Sequence, residues 1–489
     1  VQTCANNATA AFLCQASSCG QARARIVHST IIWRRRLDFS PADSYYFHFS
    51  PHRPALPDSA PLSKEFRVKF QTVNGFKDIL PDEALRWQRL EEAARSIFRR
   101  FGLREIRLPL LEQTGLFARA IGEGTDIVDK EMYTFADKGL TLRPEATASI
   151  ARAYVEHGLH VQQPVQRLFT IGPMFRHERP QKGRLRQFHQ IDAEIIGASE
   201  PAADAELIAM AQMLLDELGL KVRLEINSIG CPQCRPGFRA KLIAYLHDKL
   251  DSLCEDCRRR VNTNPLRALD CKSKGCKETV QDAPSILDSL CADCDTHFKH
   301  VRRGLDELNV PYSLNRFMVR GLDYYVRTTF EFTTDQLGAQ SAVGGGGRYD
   351  CLIEELGGPK NTPGLGFGFG MERLVLLMEQ GEEEKSAAPR ADLFAAALGE
   401  QALAFAAPLA HELRKLGFAA AIDYSSRSLK AQMKQADRVK ARFVLILGDD
   451  ELARQEAALR NMDSQEQSAF PLAGTAAELA ARLAELIAG

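Results

Sequence analysis

The chain has 489 residues, too many for one ordinary domain of roughly 100–200 residues, so several domains are expected. Lys plus Arg (63) equals Asp plus Glu (63), which excludes a protein that meets nucleic acid through a global basic field and leaves only local patches for such contacts. No apolar run reaches the roughly 18 residues a bilayer span needs. Residues 1–37 hold five Arg and no Asp or Glu, a composition like that of an organellar presequence. The first methionine, however, is Met132, and the Pro/Ser/Phe/His mixture that follows residue 37 has no helical or strand period. Residues 1–67 are therefore expected to be upstream or disordered sequence rather than a targeting signal. Val68, opening Val68-Lys69-Phe70-Gln71, is a candidate alternative start.

From residue 82 to 101 apolar side chains recur at helical spacing (Leu85, Leu90, Ala94, Ile97, Phe98, Phe101), which predicts a long amphipathic helix closed by Gly102. Residues 103–111 alternate like a strand, and Pro109 within it points to an edge at a subunit boundary. Two strands over 166–178 and 186–197, joined by the polar loop 179–185, predict an antiparallel hairpin with a basic tip. Four close cysteine pairs punctuate helical stretches over 229–309, and a strand-rich pattern resumes at Val319, so this block reads as an insertion. Residues 381–390 are charged, small and aperiodic, as a linker is. Beyond them, strands over 392–398, 419–423 and 443–447 alternate with helices near 400–416, 428–440 and 475–487, the pattern of a small α/β domain. The predicted division is 68–228 with 310–380 as the main domain, 229–309 as the Cys-rich module and 391–489 as the C-terminal domain.

Alternation in the second hairpin arm puts Phe188, Gln190, Asp192 and Glu194 on one face and His189, Ile191, Ala193 and Ile195 on the other. The second set buries. The first is either a solvated face, which the pattern alone favours, or a ligand site, because buried carboxylates need a partner. Arg176 and Glu178 share a face of the first arm, and a guanidinium there suits phosphate or carboxylate. Further on, Lys430, Lys434 and Arg438 recur every four residues as a positive helical stripe, with Arg427 close by.

Longer stretches narrow the reading. Phe169-Thr170-Ile171-Gly172-Pro173-Met174-Phe175-Arg176-His177-Glu178-Arg179-Pro180 resembles motif 2 of class II aminoacyl-tRNA synthetases, and Gly364-Leu365-Gly366-Phe367-Gly368-Phe369-Gly370-Met371-Glu372-Arg373-Leu374 resembles motif 3. The Pro109 segment with its preceding helix is similar to motif 1, the dimer interface. Arg320-Gly321-Leu322-Asp323-Tyr324-Tyr325 and Gly344-Gly345-Gly346-Gly347-Arg348-Tyr349-Asp350 resemble boxes peculiar to histidyl-tRNA synthetases. The similarity runs from about Val73 to the C-terminus.

This resemblance implies an α/β fold class, with an α+β catalytic domain on an antiparallel sheet followed by a small α/β anticodon-binding domain. It implies a cytoplasmic homodimer that takes L-histidine, ATP with Mg²⁺, and tRNA(His). Making the adenylate builds negative charge at phosphorus, so several cations are required. The resemblance puts Arg176 on the α-phosphate, Arg373 on the distal phosphates and Arg320 beside the reacting carboxylate. Glu178 is carried over to ATP, and Phe188 to stacking on adenine. Glu145, Thr147 and Gln190 would hold the amino-acid backbone, while Glu194 and Tyr325, with Tyr324 adjacent, would read the imidazole. Ala146 stands where the family often has Gly. For tRNA, the resemblance points to Gln181, Lys182, Arg184 and Arg186 at the hairpin tip and to Arg427, Lys430 and Lys434 in the C-terminal domain.

The cysteines form Cys231-x2-Cys234, Cys254-x2-Cys257, Cys271-x4-Cys276 and Cys291-x2-Cys294. Four thiolates at such spacings hold a structural Zn²⁺, and eight suffice for two sites, with the pairing left open. Disulfides fit a cytosolic enzyme poorly. Inert thiols are the remaining reading, and catalysis should not need the metal. Two rival functions stand beside the ligase. A synthetase-like regulatory subunit of histidine biosynthesis would lack the C-terminal domain and erode the boxes, both of which are present here. A zinc-dependent nucleic-acid module would account for residues 231–294 alone.

Overall fold

The protein is seen in a computed structural model that describes residues 70–122, 125–338, 342–381, 390–425 and 427–488. The predicted extension over 1–67 and most of the predicted linker lie outside the described residues. Helix α1 (Pro81–Arg100) begins with Pro at N1, where the missing N–H loses no helical bond, and with Asp82 and Glu83 at the positive end of its dipole. Trp87, Leu90, Ala94, Ile97 and Phe98 form its buried stripe. The predicted strand over 103–111 is not continuous. Only β1 (Arg104–Glu105) and β2 (Leu111–Gln113) pair, each in a different sheet, and Pro109 lies in the crossing between them without an N–H to donate.

Helix α2 (Thr114–Ile121), strands β3 (Tyr133–Phe135) and β4 (Leu140–Leu142) and helices α3 (Thr147–Glu156) and α4 (Leu159–Gln162) follow. Strands β2, β4 and β3 make a small antiparallel sheet in that order. The chain then lays down β5 (Gln166–Phe175), β6 (Gln187–Ile196), α5 (Pro201–Glu217) and β7 (Arg223–Ser228). Next come α6 (Cys234–His247), α7 (Glu255–Arg260), α8 (Leu266–Leu269), α9 (Lys274–Val280) and α10 (Ala292–Glu307). Strands β8 (Ser313–Leu314), β9 (Val326–Thr333) and β10 (Ala342–Arg348), helix α11 (Leu352–Glu355), strand β11 (Gly364–Gly370) and helix α12 (Met371–Gly381) complete this part. The main sheet has eight strands in the order β1-β5-β6-β11-β10-β9-β7-β8. It is antiparallel except at its two edge pairs, β1 with β5 and β7 with β8.

Side chains of α1, α5, α10 and α12 pack with Phe169, Phe330, Phe332, Phe367 and Phe369 of the sheet in one apolar core. Burying each such side chain stabilises by about 1.5–3 kcal/mol before conformational entropy is counted. The Cys-rich helices between β7 and β8 have a separate small core around Phe238, Leu242, Leu246 and Val261, to which Cys257 and Cys276 contribute. The C-terminal part comprises β12 (Leu393–Ala397), α13 (Glu400–Lys415), β13 (Ala420–Ile422), α14 (Leu429–Arg438), β14 (Phe443–Leu447), α15 (Asp449–Ala453), β15 (Glu456–Asn461), β16 (Gln467–Pro471) and α16 (Ala476–Ala488). Its sheet runs β13-β12-β14-β15-β16, parallel through the first three and closed by an antiparallel hairpin. Sequence reasoning missed that hairpin because β16 buries only Phe470 and so shows no alternation. Among the described residues no helix is long and apolar enough to cross a membrane.

Candidate active site

Strand β6 builds the site through its register. Gln190, Asp192 and Glu194 lie directly opposite Gly370, Gly368 and Gly366 of β11. Directly opposed residues share a face, so each polar side chain leans over a residue with no side chain. A methyl group on Gly366 would collide with Glu194 Oε2, and one on Gly368 would come within 2.5 Å of Asp192 Oδ1. The alternate residues Phe367 and Phe369 feed the core beside Ile191 and Ala193. On the next strand Gly345 of β10 faces Gly368, and Glu331 of β9 faces Gly345. The result is a glycine floor between polar walls.

The reading of this β6 face as solvated is overturned: Asp192 is 3% exposed and Glu194 is 1% exposed. They lie in a cleft of about 320 Å³ or in its wall. The cleft brings together Glu145, Thr147 and Gln190, the arginines Arg176, Arg320 and Arg373, and also Glu178, Phe188, Tyr324 and Tyr325. Glu194 does not reach the cleft surface. Its Oε1 accepts from Thr147 Oγ1 at 2.7 Å and its Oε2 from the Tyr349 hydroxyl at 2.6 Å, so it supports the wall from behind. Glu145 closes the first turn of α3, accepting from the N–H of Thr147 at 2.9 Å and of Ala148 at 2.8 Å.

Charge divides the cleft. Burial, with Glu145 nearby, pushes the Asp192 carboxyl well above the usual carboxylate range, and burial does the same to Glu194 despite its two hydrogen bonds. Burial raises Glu145 as well. Among the described residues Asp192 Oδ2 and Gln190 Oε1 are buried without a hydrogen-bond partner. Orphaned acceptors in an acidic corner await a donor with positive charge.

The other end is cationic. Arg176 donates through Nε to the Pro144 carbonyl at 2.8 Å and lies over the Phe188 ring, 5.3 Å from its centroid. Arg320 pairs with Glu331 at 3.2 Å and lies 5.2 Å from the Tyr325 ring centroid, with Nε unpartnered among the described residues. Arg373, at the start of α12, donates to the carbonyls of Gly183 and Ala342. Burial, reinforced by the Arg184 guanidinium, brings its pKa down to about 10. A group so crowded by like charge favours an anion beside it. Glu178 and Glu331 add carboxylate oxygens at this end, a donor type that hard divalent cations take.

Sequence reasoning noted Asp192 on the right face and Tyr349 within its box but gave neither a role, and it missed Glu331. Asp192 could have been found from the same alternation that found Gln190. Glu331 is visible only once β9 is registered against β10.

The hairpin tip is a tight turn in which Gln181 and Arg184 bond to each other's backbone. Gln181 and Lys182 are exposed there. Arg184 instead turns inward to Glu178 at 2.7 Å, and Arg186 donates to the Glu178 and Asn74 carbonyls. In the C-terminal part Lys430, Lys434 and Arg438 are exposed along α14, and Arg427 is exposed with Asp423 at 3.6 Å. Gln432, buried on the opposite side, donates to the Ala397 and Arg427 carbonyls and fixes that helix on its sheet.

The eight cysteines resolve into two groups, Cys231 with Cys234, Cys291 and Cys294, and Cys254 with Cys257, Cys271 and Cys276. In each group the four sulfurs lie within 4.8 Å of one another.

A family model described as histidyl-tRNA synthetase matches residues 75–374, and an anticodon binding domain model matches residues 392–482. The histidine–tRNA ligase of Desulfotalea psychrophila is 60% identical over 400 residues, 82% of this chain and 93% of that one. That of Geobacter sulfurreducens is 55% identical over 415 residues, 84% and 99% of the two chains. Among solved structures, apo S. aureus histidyl-tRNA synthetase superposes with a TM-score of 0.70 at 35% identity, covering 84% of this chain and all of that one. A Bacillus halodurans protein titled ATP phosphoribosyltransferase regulatory subunit/histidyl-tRNA synthetase shares the fold, with a TM-score of 0.56 at 20% identity.

Proposed function

The chain belongs to the histidyl-tRNA synthetase family, and we propose from this that it is a histidine–tRNA ligase, joining L-histidine to tRNA(His) at the expense of ATP. The observation that carries the reading is the division of one cleft into an acidic corner with orphaned acceptors and a cationic end. An amino acid bound with its ammonium toward Glu145, Gln190 and Asp192 sends its carboxylate toward Arg320. Triphosphate suits Arg176 and Arg373, and adenine suits the face of Phe188. A carboxylate oxygen then forms a bond to the α-phosphorus, the bond to the β-phosphate oxygen breaks, and diphosphate leaves with the negative charge. Arg320 and Arg176 meet the charge that develops between the two reactants. In the second step the terminal ribose hydroxyl of tRNA attacks the activated carbonyl and AMP leaves.

Tyr324 and Tyr325 line the end of the cleft where an imidazole would lie, and Glu194 supports the wall from behind through Thr147 and Tyr349. Gln181 and Lys182 at the hairpin tip and the α14 stripe are the surfaces offered to tRNA phosphates. Leu110, Leu111 and Phe135, exposed on and beside the small sheet, suit burial in a homodimer. The Cys-rich block carries structural Zn²⁺ in this reading, apart from the chemistry at phosphorus. A cytoplasmic location accords with the family. The regulatory alternative gains nothing from a fold likeness at 20% identity, since the chain retains an anticodon-binding domain and every arginine above.

Amino-acid-dependent ATP–diphosphate exchange with a panel of amino acids tests the function. Histidine alone should support exchange. Exchange with another amino acid, or none with histidine, would refute it.

A further inference from the structure

The Cys-rich insertion is held to the sheet through a segment that the proposed chemistry uses. Residues 319–325 carry Arg320, Tyr324 and Tyr325 yet belong to no strand, so their backbone groups must find partners elsewhere. Two come from the insertion. Arg235 donates to the Tyr325 carbonyl and, at 3.3 Å, to that of Ile229, and Arg267 donates to the Gly321 carbonyl at 3.4 Å. Both guanidiniums also face the Asp323 carboxylate.

Each arginine stands next to one cysteine group in sequence. Arg235 follows Cys234, and Arg267 precedes Cys271 by one short turn. Sulfur separations of 3.7 Å (Cys231 to Cys234), 3.9 Å (Cys231 to Cys291) and 3.8 Å (Cys254 to Cys271) are far too long for disulfides. They match the edge of a tetrahedron, ~3.8 Å, whose corners lie ~2.3 Å from a central Zn²⁺. Each group takes its sulfurs from two helix starts: α6 and α10 in the first, α7 and α9 in the second. The Cys291 N–H reaches Cys234 Sγ at 3.1 Å, and the Cys254 N–H reaches Cys276 Sγ at 3.2 Å. Helices α7, α8 and α9, of six, four and seven residues, are too short to persist on propensity alone.

We propose that the cysteines form two independent closed zinc sites, Cys231/Cys234/Cys291/Cys294 at the neck of the insertion and Cys254/Cys257/Cys271/Cys276 within it. Each site fixes one arginine, Arg235 or Arg267, on a backbone carbonyl of the segment that reads histidine. The neck site ties together positions 60 residues apart, where a cross-link removes most chain entropy. Arg235 and Arg267 are positioning residues: they touch no substrate but hold the backbone that carries Arg320 and Tyr325. The positioning half of the proposal rests on the ligase reading, whereas the metal half does not.

The test uses full-length protein purified without chelator. Elemental analysis should find two zinc ions per chain, with one left in Cys234→Ser and one left in Cys276→Ser. Cobalt loaded in place of zinc should give the intense visible bands of tetrahedral thiolate sites at two equivalents. Protein without zinc, iron in either site, or a single substitution that empties both would overturn the metal assignment. In Arg267→Ala, zinc should stay at two while the KM for histidine in ATP–diphosphate exchange rises roughly tenfold, the KM for ATP holds, and Arg267→Lys recovers part of the loss. An unchanged histidine KM with both zinc ions present would overturn the positioning role. Wild-type protein that loads two zinc ions but shows no histidine-dependent exchange would instead overturn the ligase reading.

Discussion

Arg348 and Asp204 are as deeply buried as Asp192 and Glu194, yet the two groups of charge are treated in opposite ways. Arg348, 1% exposed, donates through Nε and Nη2 to the Asp204 carboxylate and also to the Ala198 and Glu200 carbonyls and Asp350 Oδ1, while His297 reaches the Asp204 carboxylate at 3.3 Å. Burial pushes Asp204 up, but the His297 hydrogen bond and the Arg348 charge outweigh it, and the net shift is down. Around Glu145, Asp192 and Glu194 no cation forms an ion pair among the described residues, the more distant Arg143 and Arg176 offset burial only in part, and all three carboxyls are pushed up. A fully answered buried charge holds elements together, here β10 to α5. An unanswered one is an expense to the fold that a ligand can repay.

The largest expected effect attacks the first group. Arg348→Ala leaves Asp204 buried without its partner and should cost about 3–5 kcal/mol of stability in urea unfolding. The double variant Arg348→Met with Asp204→Leu should recover part of that, since both paired charges are removed while His297 and the Ala198 and Glu200 carbonyls lose their partners. A loss below about 1 kcal/mol for Arg348→Ala would erase the distinction drawn between the two groups.

Next comes Arg320, whose charge is answered only in part until substrate arrives. Arg320→Ala should slow single-turnover histidyl-adenylate formation roughly a hundredfold, about 2.7 kcal/mol, with a smaller effect on histidine binding. Lys should rescue partly, because a point charge does not reproduce the planar fork. An unchanged rate would assign Arg320 to packing against Glu331 and Tyr325.

The second group should respond in the reverse sense to the first. A carboxyl whose folded pKa lies above its unfolded value of about 3.9 costs stability at neutral pH, and that cost is relieved as pH falls through the folded value. Ligand-free protein should therefore gain stability on acidification through the raised folded values of these carboxyls toward the unfolded value of about 3.9. Asp204, with a depressed value, has its stabilisation fully present throughout that window and loses it only at lower pH. Asp192→Asn should flatten that gain and raise the thermal midpoint of the ligand-free protein by about 2–4 °C, while weakening histidine about tenfold. A variant that is both less stable and unchanged in histidine affinity would place Asp192 with the structural charges.

The smallest effects belong to exposed charge. Lys182→Ala or Lys430→Ala should weaken tRNA binding by roughly threefold and lower the salt slope by about one phosphate contact, leaving histidine-dependent exchange unchanged. Equal losses in exchange would mean that these lysines support the fold.

Much of this was legible in the sequence because strand alternation and glycine spacing are written locally. The β6 face that carries Gln190 follows from a period of two, and the β11 run Gly364 to Gly370 announces a strand without side chains on one face. What could not be read is what depends on register between distant strands or on burial. Composition cannot tell a solvated acidic face from a buried one, and only the helices stacked against the sheet decide that Asp192 is enclosed. Likewise Glu194 has the right type and face for the ring but is taken up by Thr147 and Tyr349, whose positions no local pattern specifies. The four cysteine pairs were evident, while their grouping needed the fold: the first pair joins the last, and the middle pairs join each other.

The glycine floor has a consequence for inhibitor chemistry. An inhibitor resting on Gly345 and Gly368 touches main chain there, so an organism escaping it would have to add atoms at those positions. A methyl group on Gly345 would sit 2.5 Å from the Phe330 carbonyl, and one on Gly368 would come equally close to Asp192 Oδ1. The simplest resistance mutations on that floor would thus disable the enzyme they were meant to protect, which leaves the cleft walls as the route of escape.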